Sequence, residues 1–277
     1  QRHLTIPCEM CIRDRISAGT LDLSAGDDAI HADDTLLING GDINITQSNE
    51  GLEAADVIIN DGILHINASD DGINTSTGTV DYVKGGTNMT QDDGSTLTIT
   101  GGTIYLSSLG DGIDSNGSVT MTGGTLIAFG PTVSNNGTLD YNQSFTLSGG
   151  TILAVGMSGM AQQASSSTIN TVMVNLSTTV PSGTLVSIQD SNGNLVVAFE
   201  TIKPANSIVF ASDTLANGDY TVSTGGTLNG TLTDHAAFSG SIANETEMTT
   251  FTISSTITTS GTATGGPGGG GPRPPKK

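Results

Sequence analysis

Two stretches of the chain share one pattern. Residues 97–106 read LTITGGTIYL, and residues 119–128 read VTMTGGTLIA. Apolar side chains alternate with polar ones before a Gly-Gly pair, which is typical of β-strands that bury one face. The double glycine allows a sharp corner without a side-chain clash. Further copies are LLINGGDINI at 36–45, VIINDGILHI at 57–66 and GGTILA at 149–154.

The copies recur at a nearly constant interval. The Gly-Gly corners that begin at Gly101 and Gly123 are 22 residues apart, and acidic turns at Asp28, Glu50 and Asp71 are spaced by 22 and 21 residues. A fixed period in this range indicates stacked units that cannot enclose a core alone. We therefore predict an all-β solenoid, a parallel β-helix of about 21–22 residues per coil with coils about 4.8 Å apart. Its inward ladder is predicted to contain Ile30, Leu52, Ile73 and Ile113.

Four regions follow from the pattern. Residues 1–15 are set apart as a non-repeat segment, because their composition, with three Arg and a Cys8-x-x-Cys11 pair, differs from that of the rest. Part of this stretch also resembles translated sequencing-adapter text, and we find no signal-peptide pattern in it. Residues 16–160 are predicted to form the β-helix, with a polar insertion at 77–94 expected as a surface loop. Residues 161–258 are predicted to form a small C-terminal β unit that caps the open end of the solenoid. Residues 259–277, rich in Gly and Pro, are predicted to be a disordered tail.

The charge balance excludes several functions. The chain of 277 residues has 27 acidic and 8 basic side chains, which argues against a nucleic-acid partner. It has no apolar stretch of the length that spans a membrane. Because so acidic a body repels itself, bound cations would stabilise it, and divalent cations with oxygen ligands are the natural choice.

The acidic turns align when the copies are stacked. Asp28, Glu50, Asp71 and Asp111 then form one column, and three residues later His31, Glu53, Asn74 and Asp114 form a second. Carboxylates on neighbouring coils repel by about 1 to 4 kcal/mol per pair near a surface. A cation between coils removes that repulsion, and Ca²⁺ accepts six to eight oxygen ligands in flexible geometry. The predicted Ca²⁺ ligands are Asp27, Asp28, Glu50, Glu53, Asp70, Asp71, Asp111 and Asp114.

Two other interpretations of these residues stay open. Asp-Gly and Asn-Gly are ordinary turn formers, so the carboxylates could be solvated turn residues. A carboxylate pair could also serve a hydrolase. A lyase would require a basic side chain, and the body of the chain offers only Lys84 and Lys203. No Gly-x-Ser-x-Gly elbow accompanies the histidines, and His65 in its alternating strand is interpreted as structural. We therefore predict no catalytic residues.

The ordered motifs resemble a known family, the secreted bacterial carbohydrate-binding proteins with a calcium-binding right-handed β-helix, related in fold to polysaccharide lyases. The matching phrases are NEGLE at 49–53, DDGIN at 70–74, GDGIDSNG at 110–117 and the Gly-Gly-Thr corners. Residues 183–226 are also similar to the family's C-terminal part. The resemblance implies a right-handed helix, calcium, and binding of plant-type polysaccharide such as acidic pectin-like chains.

The expected function is therefore non-catalytic, calcium-dependent binding of an extracellular polysaccharide, pectate-like or cellulosic. The expected protein is a secreted or cell-surface monomer without a membrane span. The alternative is a surface adhesin or structural rod that calcium only stiffens, because the Ser-, Thr- and Asn-rich exterior suits both equally. Lysis and hydrolysis rank below these two.

Overall fold

The computed structural model describes residues 13–78 and 92–263, and every regular element among them is a strand. The strands are β1 Arg13–Ile16, β2 Thr20–Ser24, β3 Ile30–Gln47, β4 Leu52–Ala68, β5 Ile73–Thr75, β6 Thr96–Ile99, β7 Thr103–Ser108, β8 Ile113–Ser115, β9 Ser118–Met121, β10 Thr125–Phe129, β11 Leu139–Tyr141, β12 Ser144–Leu147, β13 Thr151–Gly156, β14 Ser166–Ser167, β15 Thr171–Val180, β16 Leu185–Asp190, β17 Leu195–Glu200, β18 Ala205–Ser212, β19 Gly218–Asn229, β20 Ala236–Ala237, β21 Ser241–Ile253 and β22 Ile257–Ser260. No helix in this part of the chain is long and apolar enough to cross a membrane.

The first fourteen strands stack into three parallel columns. Column A consists of β1, residues 35–38 of β3, residues 56–59 of β4, β6, β9, β12 and β14. Column B consists of β2, residues 42–47 of β3, residues 63–68 of β4, β7, β10 and β13. Column C consists of residues 30–32 of β3, residues 52–54 of β4, β5, β8 and β11. The result is a right-handed parallel β-helix of about six turns, as predicted.

The core is a set of apolar ladders inside the solenoid. In column A, successive coils pair Leu36 with Val57, Val57 with Leu97, and Leu97 with Val119, and none of the four is more than 1% exposed. In column C the predicted ladder is confirmed by the pairing of Ile30 with Leu52, Leu52 with Ile73 and Ile73 with Ile113. Ile30 alone is only partly buried, because it lies in the first strand of that column.

The corners between columns A and B explain the double glycines. Gly124 has φ +85° and Gly150 has φ +93°, a region that residues with a Cβ rarely adopt. A Cβ on Gly124 would lie 2.7 Å from the carbonyl oxygen of Gly101, and one on Gly150 would lie 2.7 Å from that of Gly124. Both the torsion and the close approach of neighbouring coils therefore require glycine.

The C-terminal unit joins the solenoid in two ways. Strand β18 pairs antiparallel with β13, the last strand of column B, and thereby covers its edge. A five-stranded antiparallel sheet, in the order β20-β17-β16-β19-β21, packs over a second apolar core. That core includes the outward side chains Ile127, Phe129, Leu153 and Val155 of column B. The unit therefore covers the side of the last coils as well as their end.

The region boundaries differ in detail from those set by the sequence. Strand β1 begins at Arg13, inside the segment set apart, because Arg13 to Ile16 pair with Thr35 to Ile38 of the next coil. Parallel pairing in column A continues to β14, past residue 160. Strand β22 pairs with β15 and extends past residue 258. Most of the polar insertion, with Lys84, lies outside the described residues.

Candidate functional site

The acidic residues lie at the turn that leads from column B to column C. Main-chain hydrogen bonds fix this turn on successive coils, from Ala29 N to Glu50 O at 3.0 Å, from Gly51 N to Asp71 O at 3.1 Å and from Gly72 N to Asp111 O at 3.0 Å. We call Asp28, Glu50, Asp71 and Asp111 the turn column. The strand column, three residues later, is formed by His31, Glu53, Asn74, Asp114 and Asp140 through the pairing of column C.

Three carboxylates of the turn column are buried. Glu50 is 2% exposed, Asp71 is 0% exposed and Asp111 is 4% exposed. Carboxylates are seldom buried without partners, because removing the charge from water costs several kcal/mol. This burial argues against solvated turn residues and points to a structural or binding role.

The first cluster lies at the N-terminal end of the columns and contains Asp28, His31 and Glu53, whose ligand atoms lie within 4.8 Å of one another. His31 Nδ1 lies 2.8 Å from Glu53 Oε2 and 3.9 Å from Asp28 Oδ2. Partial burial and the hydrogen bond and charge of Glu53 raise the pKa of Asp28 to about 7. Burial lowers the pKa of His31, but the surrounding carboxylates outweigh it and the pKa is raised. An imidazolium can therefore balance this cluster without a metal ion.

The second cluster contains Glu50, Asp70 and Asp71, again with carboxylate oxygens within 4.8 Å of one another. Asn74 borders it, because its Nδ2 donates a hydrogen bond to Glu50 Oε2 at 2.7 Å. Asn74 is 3% exposed, and its Oδ1 is a buried oxygen with no hydrogen-bond partner among the described residues. Turning the amide over would set that oxygen against the Glu50 carboxylate, so the observed orientation is the favourable one.

The third cluster contains Asp71, Asp111 and Asp114. Asp71 Oδ1 accepts a hydrogen bond from Asp111 N at 2.7 Å, and Asp111 Oδ1 accepts one from Gly137 N at 2.6 Å. Burial raises the pKa of Asp111 to about 9, and the charges of Asp114, Asp71 and Asp140 add to the shift. Asp71 belongs to both the second and the third cluster, so the two are continuous.

The structure brings together seven of the eight predicted ligands, and Asp27 alone is exposed and outside the three clusters of described residues. Sequence reasoning missed Asp140, which pairs with Asp114 and accepts a hydrogen bond from Gln162 Nε2 at 2.8 Å. In the coil that contains Asp140, Gly137 occupies the position where the other turns have a carboxylate. The interval from Asp114 to Asp140 is also longer than the 22-residue period. That the residues of these clusters hold a metal ion stays a prediction.

Comparison with known proteins identifies a family but no individual relative. No curated protein and no solved structure matches the chain. A family model described as carbohydrate-binding domain-containing protein matches residues 15–236, which include nearly all of the solenoid, both acidic columns and most of the C-terminal unit. The chain therefore belongs to the family of carbohydrate-binding domain-containing proteins.

Proposed function

We propose that this protein binds an extracellular polysaccharide, pectate-like or cellulosic, without cleaving it, and that Ca²⁺ held by the second and third clusters is required. Family membership supports carbohydrate binding. The ion requirement is supported by the burial of Glu50, Asp71 and Asp111 close to other carboxylates. In this proposal the protein acts outside the cell, where calcium is abundant.

The observation that carries the calcium proposal is the buried Oδ1 of Asn74. A buried amide oxygen without a donor costs about 1–3 kcal/mol. It belongs to a residue that already touches Glu50 and that lies in register between Glu53 and Asp114. A cation at the second cluster would bind this oxygen and neutralise the carboxylates beside it.

The geometry of the clusters suits a large, hard cation. Ca²⁺ lies 2.3–2.6 Å from its oxygen ligands, so two ligands on opposite sides of one ion are separated by about 5 Å. In the second cluster, and likewise in the third, one carboxylate oxygen from each residue lies within 4.8 Å of the others. The second and third clusters contain oxygen ligands only, which favours calcium over transition metals. The first cluster already contains its own cationic partner, His31, and is the weakest of the three candidates.

The clusters also have an open side. Asp70 and Asp114 are partly exposed, whereas Glu50, Asp71 and Asp111 are buried. An ion held by the buried carboxylates would therefore be reachable from solvent past Asp70 and Asp114. A sugar hydroxyl or a uronate carboxylate could complete its coordination there, which requires no arginine.

The positions of the basic side chains favour polysaccharide binding over cleavage by a lyase. Lys203 is the only Lys among the described residues, and its Nζ donates hydrogen bonds to the main-chain oxygens of Ser108 and Phe129. Arg13 and Arg15 lie in β1 of the first coil, away from the second and third clusters. Among the described residues, no Lys or Arg is therefore placed beside these clusters as a base for proton abstraction from a uronate.

Retention on insoluble pectate and on cellulose, in Ca²⁺ and in chelator, tests the proposal. We expect the wild type to be retained on pectate in Ca²⁺ only, and Asp114→Asn to weaken that retention. Asp213→Asn, an exposed aspartate of the C-terminal unit, is the matched control and should behave as wild type. Retention on pectate that is unchanged by chelator would contradict the calcium requirement. A Ca²⁺-dependent rise in Tm without retention on either polymer would instead identify a calcium-stiffened rod.

A further inference from the structure

A second group of polar side chains lies where the C-terminal unit meets the outward face of column B. Asp234 Oδ1 lies 2.9 Å from Nε2 of His65, although 169 residues separate the two in sequence. An ionised carboxylate can only accept, so Nε2 of His65 donates this hydrogen bond. The His235 ring lies 6.1 Å from that of Tyr105, which lies 5.8 Å from that of His65. We call His65, Tyr105, Asp234 and His235 the junction cluster.

The turn that supplies Asp234 and His235 has an unusual backbone conformation. Thr233 and Ala236 exchange two main-chain hydrogen bonds, of 2.8 and 2.9 Å, around a two-residue turn. Both turn residues have positive φ, +50° for Asp234 and +63° for His235. Such turns strongly favour Asn and Gly, so the Asp-His pair is held at a conformational cost. Asp234 and His235 are therefore held in a backbone conformation that residues with a Cβ adopt rarely.

The junction cluster ends a polar track along the solenoid. Asp22 pairs with Asn44, Asn44 with His65 and His65 with Tyr105 on successive coils of column B. The next residue in this row is Ile127, which is 3% exposed beneath the C-terminal unit. Neighbouring strands are about 4.8 Å apart, close to the length of one pyranose residue. A sugar chain that follows the solenoid axis would thus meet one polar side chain per residue and then reach the cluster.

The groups of the cluster suit a pyranose. His235 is exposed, so its ring can contact sugar C–H groups. Tyr105 is half-buried against the second apolar core, with its ring 6.2 Å from that of Phe129, and its hydroxyl has no hydrogen-bond partner within residues 13–78 and 92–263. Asp234 and His65 offer acceptors for hydroxyl groups. The His65 side chain is 35% exposed and that of Asp234 18%, so both remain accessible.

The same charges disfavour an acidic sugar at this place. Asp234 and Asp22 are both acidic, and neither Lys nor Arg contributes to the junction cluster or the polar track. The charge of Asp234 also acts on Tyr105, since burial and then this charge raise the pKa of the phenol. A uronate would meet repulsion, whereas a neutral hydroxyl group would find acceptors.

We propose that the junction cluster, together with the polar track, binds a chain of neutral pyranoses independently of calcium. This inference rests on the polysaccharide-binding part of the proposed function but not on its metal ions. The protein would then contact polysaccharide at two places, an ion-dependent one on the acidic columns and an ion-free one at the junction. Both border strand β7, because Tyr105 lies within it and Asp111 follows it by three residues.

The test is titration of the full chain in chelator with cellohexaose, mannohexaose, xylohexaose and hexagalacturonate. We expect saturable binding of a neutral oligosaccharide and none of hexagalacturonate. The informative variants keep the backbone: His235→Asn, because Asn tolerates positive φ, and Tyr105→Phe, which removes only the hydroxyl. The His235→Asn exchange should weaken neutral-sugar binding by about tenfold, as expected for loss of an aromatic platform.

Two controls keep the result interpretable. Phe238→Ala removes an aromatic side chain, 40% exposed, outside the cluster and should leave the affinity unchanged. Thermal unfolding of each variant shows whether the junction is still folded. Wild-type affinity in both His235→Asn and Tyr105→Phe overturns the proposal, as does the absence of binding by all neutral probes. Calcium-dependent retention of the same variants on pectate would show separately that the proposed function stands.

Discussion

The Nζ atom of Lys203 donates a hydrogen bond of 2.8 Å to the main-chain oxygen of Phe129, at the C-terminal end of β10. A second bond reaches the oxygen of Ser108, the last residue of β7 on the preceding coil. One side chain of the C-terminal unit therefore joins two coils of the solenoid. Burial lowers the pKa of Lys203 to about 8, so the ammonium group is held there at the expense of its hydration.

Replacement of Lys203 by Met should destabilise the protein, because two carbonyl groups at the junction lose their donor. Each carbonyl left unsatisfied costs about 1–3 kcal/mol. We expect a Tm lower by roughly 4–24 °C, from about 2–6 kcal/mol for the two carbonyls at about 2–4 °C per kcal/mol for a chain of this size, measured by circular dichroism. Lys203→Gln keeps a shorter donor and should lose less. Equal Tm values for Lys203→Met and wild type would show that water satisfies both carbonyls.

Replacement of Asp71 by Asn should raise the Tm of the metal-free protein and reduce the increase in Tm that calcium causes. Asp71→Asn keeps the oxygen that accepts from Asp111 N but removes one negative charge from both the second and the third cluster. Without metal, loss of like-charge repulsion should raise Tm by a few degrees, since about 1 kcal/mol corresponds to about 2–4 °C. In Ca²⁺ the gain in Tm should fall to less than half that of wild type. If the calcium effect were the same in both proteins, the ion would lie elsewhere.

The metal-free protein should lose stability as pH rises. The pKa of Asp111 is raised from 3.8 in the unfolded chain to about 9 in the fold, and that of Asp28 from 3.8 to about 7. Between these values the folded state binds more protons than the unfolded state. The stabilisation is complete below about pH 4 and is lost through about pH 7 for Asp28 and about pH 9 for Asp111. Tm in chelator at pH 5 should therefore exceed Tm at pH 8.5.

The pH effect has its own controls. Asp111→Asn cannot titrate and should flatten the upper part of the Tm-versus-pH curve. Calcium should reverse the trend, because ionised carboxylates bind it better and its binding releases protons. A metal-free Tm that rises from pH 5 to pH 8.5 would contradict the buried, protonated state of these carboxyl groups.

Gly124→Ala should be among the more damaging substitutions that add only a methyl group. Its φ of +85° disfavours alanine by about 1–2 kcal/mol, and the new Cβ would lie 2.7 Å from the oxygen of Gly101. We expect a loss of at least about 2 kcal/mol, measured by denaturant unfolding. Gly193→Ala is the matched control, because φ is +79° there but nothing lies within 4 Å of the added atom. If both variants lost the same free energy of unfolding, the positive φ alone would account for the effect and the contact with Gly101 would not contribute.

Most of the fold could be predicted because the solenoid is specified locally. The alternation around each Gly-Gly corner fixes which side chains point inward, and the 22-residue period fixes the register between coils. The column of Asp28, Glu50, Asp71 and Asp111 follows from that register, as the pairing of column C shows.

The features that could not be predicted depend on packing between distant parts of the chain. His65 fits an alternating strand, and no local signal indicates Asp234 as its partner 169 residues later. Whether a turn carboxylate is solvated or buried is also absent from the pattern, because it depends on the neighbouring coils that cover Asp71. Asp140 was not predicted as a member of the strand column, because its coil is longer than the 22-residue period and lacks the turn carboxylate.

The shared carboxylate of Asp71 has a consequence for how the molecule would respond to its surroundings. Two ions in adjacent clusters would draw on one side chain, so the first would reduce the attraction for the second. Such a pair fills with negative cooperativity, over a broad span of ion concentration. The solenoid would then stiffen gradually as the Ca²⁺ concentration rises, with no single threshold concentration.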